Sequence, residues 1–238
     1  MAPGAVSDPD QEWTEAEPSA AAVTGDEFVL GVDLDGVCAD YTSAFRTVVA
    51  SEWGVPEDSL TDEVSWDFVE WGLDRDAFLS LHRTSIQEHR MFRDMPAIPG
   101  ASDALWRLSD AGVWLRIITH RLVTNWGHQT IVSDTVEWLD TKRIPYRDLC
   151  FLGRKPEAQA DAYVEDAPHN IEALRASGNT VIVFDQPYNR SLPGPRARDW
   201  DEVEELVADL VAQRAGSYAG QLPGVPAGAD RLDRHKTT

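Results

Sequence analysis

The chain has 238 residues, 42% of them apolar, and carries 41 acidic against 21 basic side chains for a formal charge of -20. Its length and composition allow one buried α/β core with a small insertion, and its charge excludes a nucleic-acid backbone or an anionic membrane, which it would repel. Two cysteines, Cys38 and Cys150, imply neither a disulfide framework nor structural zinc and fit a reducing cytoplasm, and no apolar run approaches the ~20 residues that span a bilayer.

Residues 1–26 are acidic and free of Lys and Arg, and residues 215–238 are rich in small residues and proline. Both stretches read as disordered tails. Between them strand and helix patterns alternate. Phe28-Val-Leu-Gly-Val-Asp-Leu-Asp-Gly36 predicts a strand over 28–34 buried on both faces. The run ends in two carboxylates, Asp33 and Asp35. Side chains two apart on a strand share a face, so both are expected together at its carboxyl end, where open α/β sheets place ligands. Like charges held close have separated proton affinities, so one can attack while the other carries a proton. An Asp-rich turn would use the same residues, and this segment alone does not separate the two readings.

Tyr41–Trp53 has helical spacing and is stopped at Gly54-Val-Pro56. Residues 57–94 are irregular, polar and aromatic, so 41–94 reads as a small helical insertion over the sheet edge. A helix from Pro99 to Ala111, a strand Val113–Thr119 and a helix Ile131–Leu139 follow. Next come strands Leu149–Leu152 and Ala162–Val164, a helix Ile171–Ala176, a strand Thr180–Phe184 and an acidic helix Asp201–Val211. This alternation predicts an α/β fold with a doubly wound parallel sheet, its core formed by 27–40 and 95–214.

Further polar residues stand at strand ends. Thr119 closes one strand and is followed by His120 and Arg121; Lys155 follows another; Glu165 and Asp166 end a third. Singly, each has an ordinary explanation, because Thr suits strands, Lys is mostly a solvated charge and acidic residues favour helix starts. Together they converge on one crevice. Four carboxylates there repel one another unless a divalent cation and a lysine compensate, and oxygen-only ligands point to Mg²⁺. Mg²⁺, Lys155 and the Thr119 hydroxyl around a carboxylate make a phosphoryl site, where a carboxylate nucleophile forms an aspartyl-phosphate.

In these motifs the chain resembles the haloacid dehalogenase (HAD) superfamily of phosphohydrolases over about 27–185. Asp33-Leu-Asp35-Gly36-Val37 is similar to its first motif, Ile117-Ile-Thr119 to its second, Lys155 to its third and Val164-Glu-Asp166 to its fourth. The resemblance implies a HAD-like Rossmannoid core with a helical cap. It implies Asp33 as nucleophile and metal ligand, and Asp35 as acid/base that ligates Mg²⁺ through its backbone carbonyl. Thr119, His120 and Lys155 would hold the phosphate, and Glu165 and Asp166 would complete the metal shell. A narrower resemblance is to the 5′(3′)-deoxyribonucleotidases, carried by Asp35-Gly-Val-Cys-Ala-Asp-Tyr41 and Met95-Pro-Ala-Ile-Pro-Gly100. It implies that Tyr41, Trp66 and Phe68 stack on a base, although a packed cap core would use the same rings. The second motif continues Thr-His-Arg where that family has Thr-Ser-Pro, and the fourth begins with Glu165 where two Asp are usual. His82, His89, His128 and His169 show no partner in the sequence and are read as ordinary.

The expected function is a Mg²⁺-dependent, cytoplasmic phosphomonoesterase acting on a (deoxy)nucleoside monophosphate. Its partner would be a small phosphorylated substrate, not nucleic acid or membrane, and a homodimer is compatible with it. The alternatives are a HAD phosphatase or mutase acting on a sugar phosphate, and a catalytically silent binding module. The last would show a lost nucleophile, lysine or metal acid, and none is lost.

Overall fold

The structure is a computed structural model that describes residues 27–124 and 126–215; the tails read at either end, apart from Ala215, lie outside them. Six parallel strands form one sheet: β1 (Val29–Val32), β2 (Trp114–Thr119), β3 (Asp148–Phe151), β4 (Ala162–Glu165), β5 (Thr180–Phe184) and β6 (Arg196–Ala197). Their order is β3-β2-β1-β4-β5-β6, so β1 lies at the centre between β2 and β4. All four β1 residues are buried, as its unbroken apolar run requires.

The two faces carry separate apolar cores. Leu30, Val32, Ile117, Val164 and Ile182 belong to one, packed with residues of α1 (Tyr41–Trp53), α4 (Ala101–Asp110), α5 (His128–Thr141) and α7 (Trp200–Ala215). Ile118, Tyr163, Val181 and Val183 belong to the other, against Ile171 and Leu174 of α6 (Pro168–Ala176). Gly31 lies on this second side. A Cβ there would fall 2.7 Å from Ile118 and 2.8 Å from Tyr163, so only glycine fits the centre of the sheet.

Residues 41–94 contain α1, then α2 (Arg75–Gln87) and α3 (Met91–Asp94), with 3-10 turns between α1 and α2. Asp40 caps α1 by accepting from the Ser43 N–H, and Gly54 closes it in the left-handed conformation that Gly adopts without strain. The two chain segments joining the insertion to the sheet lie side by side. The Asp40 N–H donates to Pro96 O (2.9 Å), the Ile98 N–H to Cys38 O (2.8 Å), and Ala39 bridges Ala97 antiparallel.

The first strand is shorter than the predicted 28–34. It ends at Val32, so Asp33 and Asp35 lie past it, although the Asp33 N–H still donates to Val164 O at 3.1 Å. Beyond Asp33 the chain winds back, with the Cys38 and Ala39 N–H groups on Leu34 O at 2.8 Å each.

Candidate active site

Side chains following three strands of the sheet meet at the polar floor of a cavity of about 280 Å³, which Asp33, Asp35, Lys155 and Asp166 line, with Glu165 paired to Lys155 behind them. Asp33 follows β1, Lys155 follows β3, and Glu165 and Asp166 end β4; all four are buried. Lys155 Nζ lies 2.6 Å from Asp33 Oδ1 and 2.6 Å from Glu165 Oε2. Glu165 Oε1 accepts from the Ala167 N–H (3.0 Å) and from Asn170 Nδ2 (3.4 Å). Burial opposes the Glu165 charge, but Lys155 and these donors hold its carboxyl below the usual range. Asp33 is pushed up to about 7, first by burial and then by Glu165, against the pull of Lys155. Asp166 is also pushed well up, by burial and by the charges of Glu165 and Asp33. The Lys155 ammonium is raised despite its burial, because Asp33 and Glu165 both face it.

The fifth side chain, Asp35, stands apart from this cluster. Its carboxylate is paired bidentately with Arg121, at 2.6 Å from Nη2 and 3.0 Å from Nε. Arg121 is itself buried, donates a third bond to Thr135 Oγ1 of α5 (3.1 Å) and lies 4.2 Å over the Phe92 ring. The expectation that Asp33 and Asp35 share one strand face therefore gives way to a turn that sends the two carboxylates to different partners.

A cation fits this floor. One carboxylate oxygen from each of Asp33, Glu165 and Asp166 falls within a 4.8 Å cluster, against a single lysine. Asp166 Oδ1 is buried with no hydrogen-bond partner among the described residues. An all-oxygen donor set suits a hard divalent ion such as Mg²⁺ and not zinc.

The walls are aromatic. Tyr41, Trp66, Phe68 and His120 line the cavity, and Phe78, His82 and Phe92 join them. Phe68 is only 4% exposed, with Trp71 and Phe78 rings at 4.7 and 5.9 Å, whereas Trp66 is 43% exposed. Tyr41 Oη meets His82 Nδ1 at 2.7 Å. His82 and His169, read as ordinary, thus line the cavity, and the His120 and His169 rings stack at 6.5 Å. Thr119 is buried and does not line it; its Oγ1 accepts from the Arg121 N–H at 3.3 Å.

Sequence reasoning missed Arg121 and the loop after β5. There Tyr188 donates to Asp166 Oδ2, Asn189 Nδ2 donates to Asp166 O (2.8 Å), and Gln186 Nε2 donates to Gly36 O (2.7 Å). The available signal was another polar run, Asp185-Gln-Pro-Tyr-Asn189, at the carboxyl end of a buried strand.

A solved dehalogenase with an intermediate complex shares this fold at a TM-score of 0.50 and 16% identity, over 76% of this chain and 97% of that one. The class of fold is therefore the α/β architecture with a central parallel sheet that this dehalogenase also has. Residues 27–215 match the family described as 5′ nucleotidase, deoxy (pyrimidine), cytosolic type C protein, and the chain belongs to that family of phosphoric monoester hydrolases. A Chlorobaculum tepidum protein, whose name places it among the 5′(3′)-deoxyribonucleotidases, is 45% identical over 77% of this chain and 91% of its own. The 5′(3′)-deoxyribonucleotidase of Bacillus subtilis is 23% identical over 74% of this chain and 96% of its own.

Proposed function

We propose that the protein hydrolyses a deoxynucleoside monophosphate to nucleoside and phosphate, with Asp33 as nucleophile. The reading is carried by one observation: a buried carboxylate, Asp33, held by Lys155 beside two further acids under an aromatic wall. Asp33 attacks phosphorus, the ester P–O bond breaks, and the departing alkoxide takes a proton delivered through Asp35. Water then attacks the aspartyl-phosphate, gives its proton to Asp35, and releases phosphate and free Asp33. Lys155 and the His120 ring face the phosphoryl oxygens, with Thr119 supporting that edge from behind. Mg²⁺ would be held by Asp33, Glu165, Asp166 and the Asp35 carbonyl, with Lys155 offsetting the acids, and would neutralise charge on the phosphoryl group. We assign base stacking to Tyr41, Trp66 and Phe68, and the role of a cap to residues 41–94.

The family membership and the names of the relatives support a nucleotide, and the compartment we propose is the cytoplasm. No helix among the described residues is long and apolar enough to cross a membrane. A sugar phosphate would leave the exposed Trp66 ring in the cavity wall without a partner surface, which argues against it. A phosphate-release screen of the purified chain over nucleoside monophosphates and sugar phosphates, with Mg²⁺ or with chelator, tests this. Release from deoxynucleotides that stops on chelation is expected. Preference for sugar phosphates, or activity that survives exhaustive chelation, would overturn it.

A further inference from the structure

The β5 loop is fastened to the active site from two sides. Gln186 Nε2 donates to Gly36 O (2.7 Å), beside Asp35, and Asn189 Nδ2 donates both to Asp166 O and to Phe184 O (2.8 Å each). Arg196 fixes the loop from below, on Asp185 Oδ1 (2.6 Å) and on Asn189 Oδ1 (2.7 Å). Tyr188 is carried on this rigid frame into the cavity wall, where its hydroxyl donates to Asp166 Oδ2. Gly36 makes the approach feasible, since a Cβ there would overlap the Asp166 carboxylate and come within 2.9 Å of Tyr188 Oη. On its other side the Tyr188 ring is met edge-on by Trp66 (5.3 Å), and Glu63 pairs with Arg190 two residues along. The phenol therefore has one available place.

We propose that Tyr188 is a positioning residue for the Asp166 carboxylate as a divalent-cation ligand; this rests on the metal site proposed above. A carboxylate with one oxygen held by a donor cannot turn about its Cβ–Cγ bond. Of its two oxygens, only Oδ1 lacks a partner among the described residues. Without the hydroxyl the group regains that rotation, and the freedom is lost again when the ion binds. Hydrogen-bond partners of ligating carboxylates set metal affinity by about 10–100-fold.

The test uses the full-length chain and a readout independent of turnover. Melting temperature is followed as Mg²⁺ is titrated, and Mn²⁺ binding is followed by electron paramagnetic resonance. In Tyr188→Phe the metal-free melting temperature is expected to stay near that of the parent, while the half-saturating Mg²⁺ and Mn²⁺ rise about 10–100-fold. Tyr188→His, which keeps a ring N–H donor, should recover part of the affinity, and it carries the test if the phenylalanine variant does not fold. Gln186→Ala loosens the loop that carries the hydroxyl but keeps the hydroxyl itself, and should move the half-saturation point less than Tyr188→Phe does. Parent-like titration of Tyr188→Phe, or an equal loss in Gln186→Ala, overturns the assignment to the hydroxyl. A parent protein that shows neither a Mg²⁺-dependent shift nor Mn²⁺ binding overturns the metal site itself.

Discussion

Asp33 and Asp35 are two residues apart in the chain, yet their surroundings oppose one another. Asp33 is buried against Glu165 and Asp166 and holds its proton up to about 7, so the folded state prefers it neutral. Its folded value lies above the ordinary one, so protonation favours folding at low pH, and that contribution is lost as pH rises through 7. Asp33→Asn mimics the protonated form. In metal-free buffer it should melt at or above the parent temperature while turnover disappears, as calorimetry and a phosphate assay would show. Asp35→Asn should do the reverse to stability. It leaves the buried Arg121 guanidinium without its counter-charge, a loss of about 3 kcal/mol, at the low end for buried pairs because Asp35 is partly exposed. That corresponds to a fall of roughly 6–12 °C in melting temperature. The cavity rings divide in the same manner. Phe68→Ala should cost about 3–5 kcal/mol of stability, because the ring is fully packed. Trp66→Ala should leave the fold intact and lower kcat/KM for a nucleotide by about one to two decades, with little effect on p-nitrophenyl phosphate. Equal losses on both substrates would remove the stacking role. Asp33, Lys155, Glu165 and Asp166 were legible because each interrupts or follows an apolar strand. Arg121 and Tyr188 were not, since both follow strands but the partners that give them their roles, Asp35 and Asp166, lie 86 and 22 residues away.

Elements with a continuous apolar run or a clean helical stripe were readable to within a few residues; those completed by tertiary contacts were not. α1 has the predicted bounds because Asp40 and Gly54 mark its ends in the sequence. α2 escaped because its only buried residues are Ser85 and Ile86, while Phe78 and Leu81 pack half-exposed against the cap aromatics. β6 is two residues long and exists through its pairing with β5 and the anchoring of Arg196, neither visible as a pattern. The contact between α1 and α2 depends on Tyr41 and His82, and it gives the insertion a pH limit. Burial, with Arg121 adding to it and Asp35 opposing, lowers His82 to about 4. The folded value lies below the ordinary 6.5, so His82 contributes stability that is present above pH 6.5 and is lost as pH falls toward 4. His82→Gln cannot titrate. Its melting temperature should fall less steeply than the parent's over that window, and parallel curves would mean that the ring is not desolvated.

For the molecule as a whole, a charge of -20 surrounds a site that must admit an anion. The mean field repels a nucleotide, while the buried Lys155 attracts it only at close range and is little screened by salt. Raising ionic strength at fixed free Mg²⁺ should therefore increase kcat/KM by about two- to several-fold, opposite to the usual salt dependence of charge-steered encounter. A decrease would show that Lys155 and Arg121 in the cavity outweigh the overall charge. The paired threads at Ala39 and Ala97 have a different consequence. Residues 41–94 leave and re-enter the sheet side by side, so an inserted or deleted turn within them does not shift the register of β1 against its neighbours. With the cap role proposed for the insertion, drift in it would redraw which ester is admitted while the reacting groups beneath stay in place. Substrate range in such a chain is thus inherited separately from chemistry, and related proteins can diverge in the first while conserving the second.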